Sequence, residues 1–198
     1  MGLIGRLMKS STARAWEPLL DRKDVLILDT ETTGFEYDSE LVEIAIMDTT
    51  GATVYDKLVM PQGEIPLGAS RVHGLTRDLL ARNGALPWTQ HYEAVKSVVQ
   101  AASVIYAYKL EYDERIIAQT CDLYDLEPIL SIAEGRGVDL RCSMLEYAAH
   151  RKVPGRYGDY RWHKLEDACR HESVPASQDH RALSDCRMVL NLMRAVAR

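Results

Sequence analysis

Phenylalanine occurs once in this 198-residue chain, tryptophan three times and cysteine four times. The cysteines, at 121, 142, 169 and 186, form no C-x-x-C pair and keep no zinc-type spacing to the six histidines. That excludes a disulfide scaffold and a zinc ribbon as the organising framework. Three of the four fall among helical apolar positions, so reduced, buried thiols in a cytoplasmic protein are the simplest expectation. No apolar run approaches the length that crosses a bilayer, and no stretch near the N-terminus has the continuous hydrophobicity of a signal peptide, so no membrane role is expected. Positive charge is also in deficit. A formal net charge of -5 argues against a broad electrostatic grip on duplex nucleic acid, though not against a local one. Internal repeats and low-complexity tracts are missing as well.

What is present is ordinary globular composition, 46% hydrophobic and 27% charged, at a length that buries one core. Residues 1–24 read as a separate N-terminal helical or flexible extension. Leu3, Ile4, Leu7 and Met8 share a helical face, with Arg6, Lys9 and Arg14 elsewhere, before Pro18 interrupts. From Val25 to Arg198 the pattern is regular. Strands are expected over 25–30, 41–48 and 52–59, with "TTG" at 49–51 as the turn between the last two, and further short strands over 103–108 and 138–140. Helices are expected near 76–82, 88–101, 112–125, 141–150, 163–172 and 180–197. Three hairpin-like strands followed by strands alternating with helices imply an α/β domain, with a mixed sheet of about five strands flanked by helices.

The first strand, "VLILDTETTGF", ends in Asp29 and Glu31, which leave a strand on the same face. Two carboxylates so placed repel unless a positive charge lies between them. Asp113 opens a helix after the 103–108 strand; taken alone it reads as an acid favouring the positive end of the helix dipole. Asp185 interrupts the edge of the apolar stripe Ala182, Leu183, Cys186, Val189, Leu190 and Met193 in the last helix. A carboxylate near a core needs a cation or several donors, although a helix-surface acid beside Arg181 and Arg187 is a competing reading. His180 alone would be a loop histidine.

The order of these residues carries more than any one of them. D-x-E on the first strand, an Asp after the fourth strand and H-x4-D opening the last helix resemble the DEDDh 3'-to-5' exonucleases. That family includes the proofreading epsilon subunit of bacterial replicative DNA polymerase, ribonuclease T and oligoribonuclease. "DTETTG" at 29–34, "VHGLT" at 72–76, "HKLEDAC" at 163–169 and "HRALSD" at 180–185 look like the family motifs in family order, and the resemblance spans about residues 24–196. It implies a ribonuclease H-like fold over 25–198. It also implies two divalent cations, Mg2+ or Mn2+, held by Asp29, Glu31, Asp113 and Asp185. Four negative charges then balance two ions, which two-metal nucleases hold ~3.5–4 Å apart. By the same resemblance His180 is the general base, a task for which a neutral imidazole suits.

Substrate contacts expected on the same ground are Thr30, Thr33, Gly34, Phe35, His73, Tyr108 and Lys109. Phe35 reads equally as a base-stacking or a packing residue, and His73 as a nucleotide contact or a loop histidine satisfied by backbone. Tyr108 and Lys109 stand where many family members have His-Asn, a departure that bears on substrate choice; Lys109 either meets a phosphate or pairs with Asp113. The stretch 150–164 has five Lys or Arg against one Asp, interleaved with Tyr157, Tyr160 and Trp162. It suits a single-stranded backbone, with a solvated loop and Trp162 tucked into the core as the plainer reading. The implied activity is removal of nucleotides from a nucleic acid 3' end, single-stranded DNA ahead of RNA. The alternatives are an exoribonuclease on short RNA and a noncatalytic module that binds nucleic acid or a DNA polymerase. No tail follows the last helix, which favours a freestanding nuclease.

Overall fold

A computed structural model describes residues 9–156 and 158–198. The expected helical face Leu3, Ile4, Leu7 and Met8, and Tyr157, lie outside the described residues. The sheet is built around β1 (Val25–Thr32), whose continuous apolar run is explained by helices on both faces. Val25 and Ile27 point into one core and Leu26 and Leu28 into the other. β2 (Leu41–Asp48) and β3 (Thr53–Leu58) add antiparallel on one side of β1. β4 (Val104–Ala107) and β5 (Asp139–Cys142) add parallel on the other, giving the order β3-β2-β1-β4-β5. The turn between β2 and β3 forms where "TTG" predicts it. Asp48 Oδ1 accepts from the Thr50 and Ala52 amides, and Gly51 takes φ 101°.

Nine α-helices lie among the described residues: α1 (Ser11–Trp16), α2 (Leu67–His73), α3 (Arg77–Arg82), α4 (Tyr92–Gln100), α5 (Leu110–Asp122), α6 (Ile129–Gly135), α7 (Ser143–Arg151), α8 (Leu165–His171) and α9 (Ala182–Ala197). Helices α1, α7, α8 and α9 pack on the Val25/Ile27 face, and α4, α5 and α6 on the Leu26/Leu28 face. Two of the nine have little sequence signal. α2 buries only His73 and so shows no apolar stripe, and α6 is two turns long. The expected helix over 88–101 begins instead as a 3-10 turn, Trp88–Gln90. No described helix is long and apolar enough to cross a membrane, and all four cysteines are free.

Trp162 corrects an expectation: it is 55% exposed rather than tucked into the core. The neighbouring residue takes the inward position. The His163 ring packs against Tyr147 at 5.7 Å, and its backbone carbonyl accepts the Tyr108 hydroxyl at 2.8 Å. Side chains alternate along an extended segment, so turning 163 inward turns 162 outward.

The described residues before β1, 9–24, are no separate extension but contribute to the first core. Ala13, Trp16 and Leu19 are buried with β1 and α9, the Trp16 indole N–H donates to Glu146, and Lys9 Nζ donates to the Ala197 carbonyl at 2.7 Å. Truncating Trp16 therefore opens a large void. Trp16→Ala is expected to cost about 3–5 kcal/mol in a denaturant melt; a loss below about 1 kcal/mol would mean that this segment contributes little to the fold.

Candidate active site

Strand β1 is where the sheet changes from antiparallel to parallel neighbours, and β1 and β4 end at the same edge. In open α/β sheets this edge is where ligand crevices form. The side-chain alternation that sends Val25 and Ile27 toward α9 sends Asp29 and Glu31 the same way. One helical turn into α9, Asp185 faces them. Carboxylate oxygens of Asp29, Glu31 and Asp185 lie within 4.8 Å of one another. Asp113 comes from the first turn of α5 on the opposite face. It stands outside that group of three, buried, with Thr30 Oγ1 donating to its Oδ1 at 2.8 Å. The register of β1 and β2 shifts between Glu31 and Thr32, a bulge at the rim of the site.

The electrostatics of this group run one way. Burial, then the charges of Asp113, Asp185, Glu31 and Glu43, push the Asp29 carboxyl well above the ordinary range. Burial and the charge of Asp185 push Glu31 up to about 8. Burial also raises Asp113, against the pull of the Thr30 hydroxyl, and raises Asp185, against the charge of His180. The donor set is all oxygen, with no thiol or imidazole among the three converging groups, which fits a hard divalent cation such as Mg2+ or Mn2+.

Beside Glu31 opens a cavity of about 360 Å³, lined by residues 30–36, by Pro66, Gly68, Ala69, Val72 and His73, and by Tyr112. Its walls are tied together internally. The Thr33 amide and hydroxyl close the 33–40 loop onto the backbone of Glu40, each at 2.9 Å. The buried Glu40 carboxylate takes the Gln62 and Gly63 amides at 2.7 Å each, which holds the loop ahead of α2. Tyr112 donates to the Gly34 carbonyl at 2.8 Å. Phe35 is 80% exposed at the rim, its ring 5.7 Å from that of Tyr112.

His73 lines the cavity from the end of α2 and is satisfied by backbone. Nδ1 accepts the Leu75 amide at 3.1 Å, Nε2 lies 3.2 Å from the Thr32 carbonyl, and burial lowers its pKa. Tyr108 does not reach the cavity; it is buried with its hydroxyl on the His163 carbonyl. Lys109 is exposed and lies over the Tyr112 ring, 5.7 Å from its centroid, rather than pairing with Asp113. His180 borders a second groove of about 540 Å³ with Arg71, Lys164, Glu166, Arg170 and Gln178.

Two residues of this site, Glu40 and Glu43, were not expected from sequence. Both are buried acids in or beside β2, and a lone Glu in an apolar strand gave the only available hint.

The exonuclease family model (RNase_T) matches residues 26–193. An uncharacterized exonuclease of Escherichia phage 186, CP81, is 39% identical over 178 residues, which cover 88% of this chain and 89% of the relative. Among solved structures, Exonuclease X in complex with 5' overhanging duplex DNA superposes with a TM-score of 0.58 at 23% identity, covering 87% of this chain and 90% of that one. E. coli Exonuclease I in complex with a dT13 oligonucleotide gives a TM-score of 0.67 at 15% identity over 84% of this chain, which spans only 39% of that protein. At these identities the two structures establish the fold alone.

The raised carboxyls set a pH dependence for the metal-free protein. A group whose folded pKa lies above its unfolded value stabilises fully below the unfolded pKa and loses that contribution as pH rises through the folded one. Melting temperature without metal is therefore expected to fall as pH rises from about 4 through about 8, the raised value of Glu31. Mg2+ or Mn2+ should raise it by linkage, more at the alkaline end than at the acid end. Asp29→Asn should stabilise the metal-free protein at the alkaline end and shrink the metal effect. Calorimetry showing a metal shift of equal size across the range would contradict the assignment.

Proposed function

This chain belongs to the exonuclease family, and from that membership we propose that it hydrolyses the terminal phosphodiester at the 3' end of single-stranded or frayed DNA. The convergence of Asp29, Glu31 and Asp185 beside a cavity of nucleoside size is the observation that carries this reading. The DNA complexes of the two structural neighbours favour DNA over RNA. Two divalent cations, Mg2+ or Mn2+, held by Asp29, Glu31, Asp185 and Asp113, would supply Lewis-acid activation of the water and of the phosphoryl oxygens when bound.

The chain's own residues do the rest. The cavity walls at Thr30, Thr33, Gly34 and His73 hold the terminal nucleoside, and Phe35 offers an exposed ring face to a base. His180 accepts the proton of the attacking water. The water oxygen bonds to phosphorus as the bond to O3' of the preceding nucleotide breaks, and O3' takes a proton from solvent, releasing a nucleoside 5'-monophosphate and a strand with a new 3'-hydroxyl. Arg71 and Lys164, in the groove that His180 borders, suit the phosphates of the strand that remains. Tyr160 and Trp162, both exposed on the basic 150–164 segment, suit its unstacked bases. This local basic track coexists with the overall negative charge because few phosphates need be held at once.

The test is a 3'-labelled and a 5'-labelled single strand, as DNA and as RNA of the same sequence, with Mn2+ or with chelator. Metal-dependent shortening from the 3' end of the DNA is expected, with Asp29→Ala lowering the rate by roughly 10²-fold or more. Faster shortening of the RNA would reassign the substrate. No shortening of either, with Asp29→Ala binding both as well as the wild type, would mark a binding module instead. At saturating metal, His180→Ala should lower the single-turnover rate by roughly 10²-fold or more. A His180→Ala rate equal to that of the wild type under single-turnover conditions speaks against the histidine.

A further inference from the structure

The start of α9 is held in a way that nucleotide chemistry alone does not require. Glu43 lies on β2 directly across from Glu31 and is 2% exposed. A further carboxylate at that place adds to the repulsion on Asp29 and Glu31, so its presence needs a reason. Among the described residues, every hydrogen-bond donor to its carboxylate comes from two consecutive residues. Arg181 Nε reaches Oε1 at 3.1 Å and Oε2 at 3.0 Å, Arg181 Nη2 also bonds Oε1, and the Ala182 amide donates to Oε2 at 3.0 Å. Glu43 thus takes the orphan N-terminal amide of the helix and the planar fork of an arginine together.

The residue just before this clamp is His180, whose backbone sits at φ 46°. That left-handed region is uncommon for a residue with a side chain and persists only when its surroundings impose it. On the other flank, Asp179 accepts Ser177 Oγ at 2.7 Å and Ser184 Oγ at 2.8 Å. The backbone of His180 is therefore fixed from both sides, while none of the described residues hydrogen-bonds its imidazole. A base needs this combination: a fixed origin and a ring left to meet the substrate.

We propose that the Glu43–Arg181 pair is a positioning clamp that holds His180 in its strained backbone conformation and so sets the placement of the base. The proposal rests on the reading of His180 as the general base. Neither Glu43 nor Arg181 need touch the reacting atoms; each acts through His180.

The test is a double-mutant cycle on the full chain with a labelled oligonucleotide. Arg181→Ala is expected to lower kcat by about 30–100-fold with KM changed less than about three-fold, the scale of misplacing a catalytic group by roughly 1 Å. In a His180→Ala background the same substitution should change kcat by less than about two-fold, since nothing remains for it to act through. Arg181→Ala leaves a buried charge unpaired, so Glu43→Leu combined with Arg181→Met serves as a second variant; apolar replacement of a buried ion pair generally preserves the fold. It should show the same pattern.

Carbon-13 NMR of ring-labelled histidine reads placement without activity. One sharp His180 resonance is expected in the wild type, and a broadened or split one in either clamp variant with the other histidines unchanged. Equal fold losses in both backgrounds, or clamp variants with wild-type kcat and an unchanged His180 resonance, would overturn the clamp. A His180→Ala enzyme as fast as the wild type would instead overturn the base itself, and the clamp with it.

Discussion

Like charges forced together at the end of one strand set the terms for the rest of this molecule. At an effective dielectric of about 20, two carboxylates some 5 Å apart repel by roughly 3 kcal/mol, and four such groups with partial burial multiply that cost. Burial and repulsion together hold these side chains protonated over a range where an exposed carboxylate is fully charged. A divalent cation converts the same arrangement from a liability into a binding site, because each pairwise repulsion then becomes two attractions to a shared ion.

The fold meets that constraint with rigid elements rather than loops. Asp29 and Glu31 stand on the central strand, whose apolar residues are fixed in two cores, so neither can swing away to relieve the repulsion. Asp185 stands on the longest described helix, and Asp113 is held by Thr30 from the strand that carries the first two acids. Each acid is therefore placed by packing at some distance from the chemistry. Glu43 adds one more negative charge behind the site, and Arg181 compensates it. Acids carried on strands and helices keep their register, which is the preorganisation a cation site needs.

Much of this was legible in the sequence because the responsible signals are local. Period-two alternation in "VLILDTET" puts Asp29 and Glu31 on one face, and the structure keeps them there. The five strands fall within a few residues of their expected spans, since each is a short apolar run bounded by turn residues. α2 and α6 escaped because a short helix with one to three buried residues leaves no periodic trace. Trp162 and Tyr108 show a different limit. Which of two adjacent residues faces inward depends on what lies across the fold, and here Tyr147 and the His163 carbonyl decide it. Glu43 was hidden for a similar reason: its partner is 138 residues away in sequence, and a glutamate amid Leu41, Val42, Ile44 and Ala45 gives no sign of which cation it meets.

The central claim is that the acid cluster is a divalent-cation site. Anomalous diffraction from crystals soaked in Mn2+ tests it most directly. The account predicts a manganese peak bounded by Asp29, Glu31 and Asp185, with a second next to Asp113. An ordered site without manganese, its carboxylates turned apart or bonded only to protein donors, would contradict it.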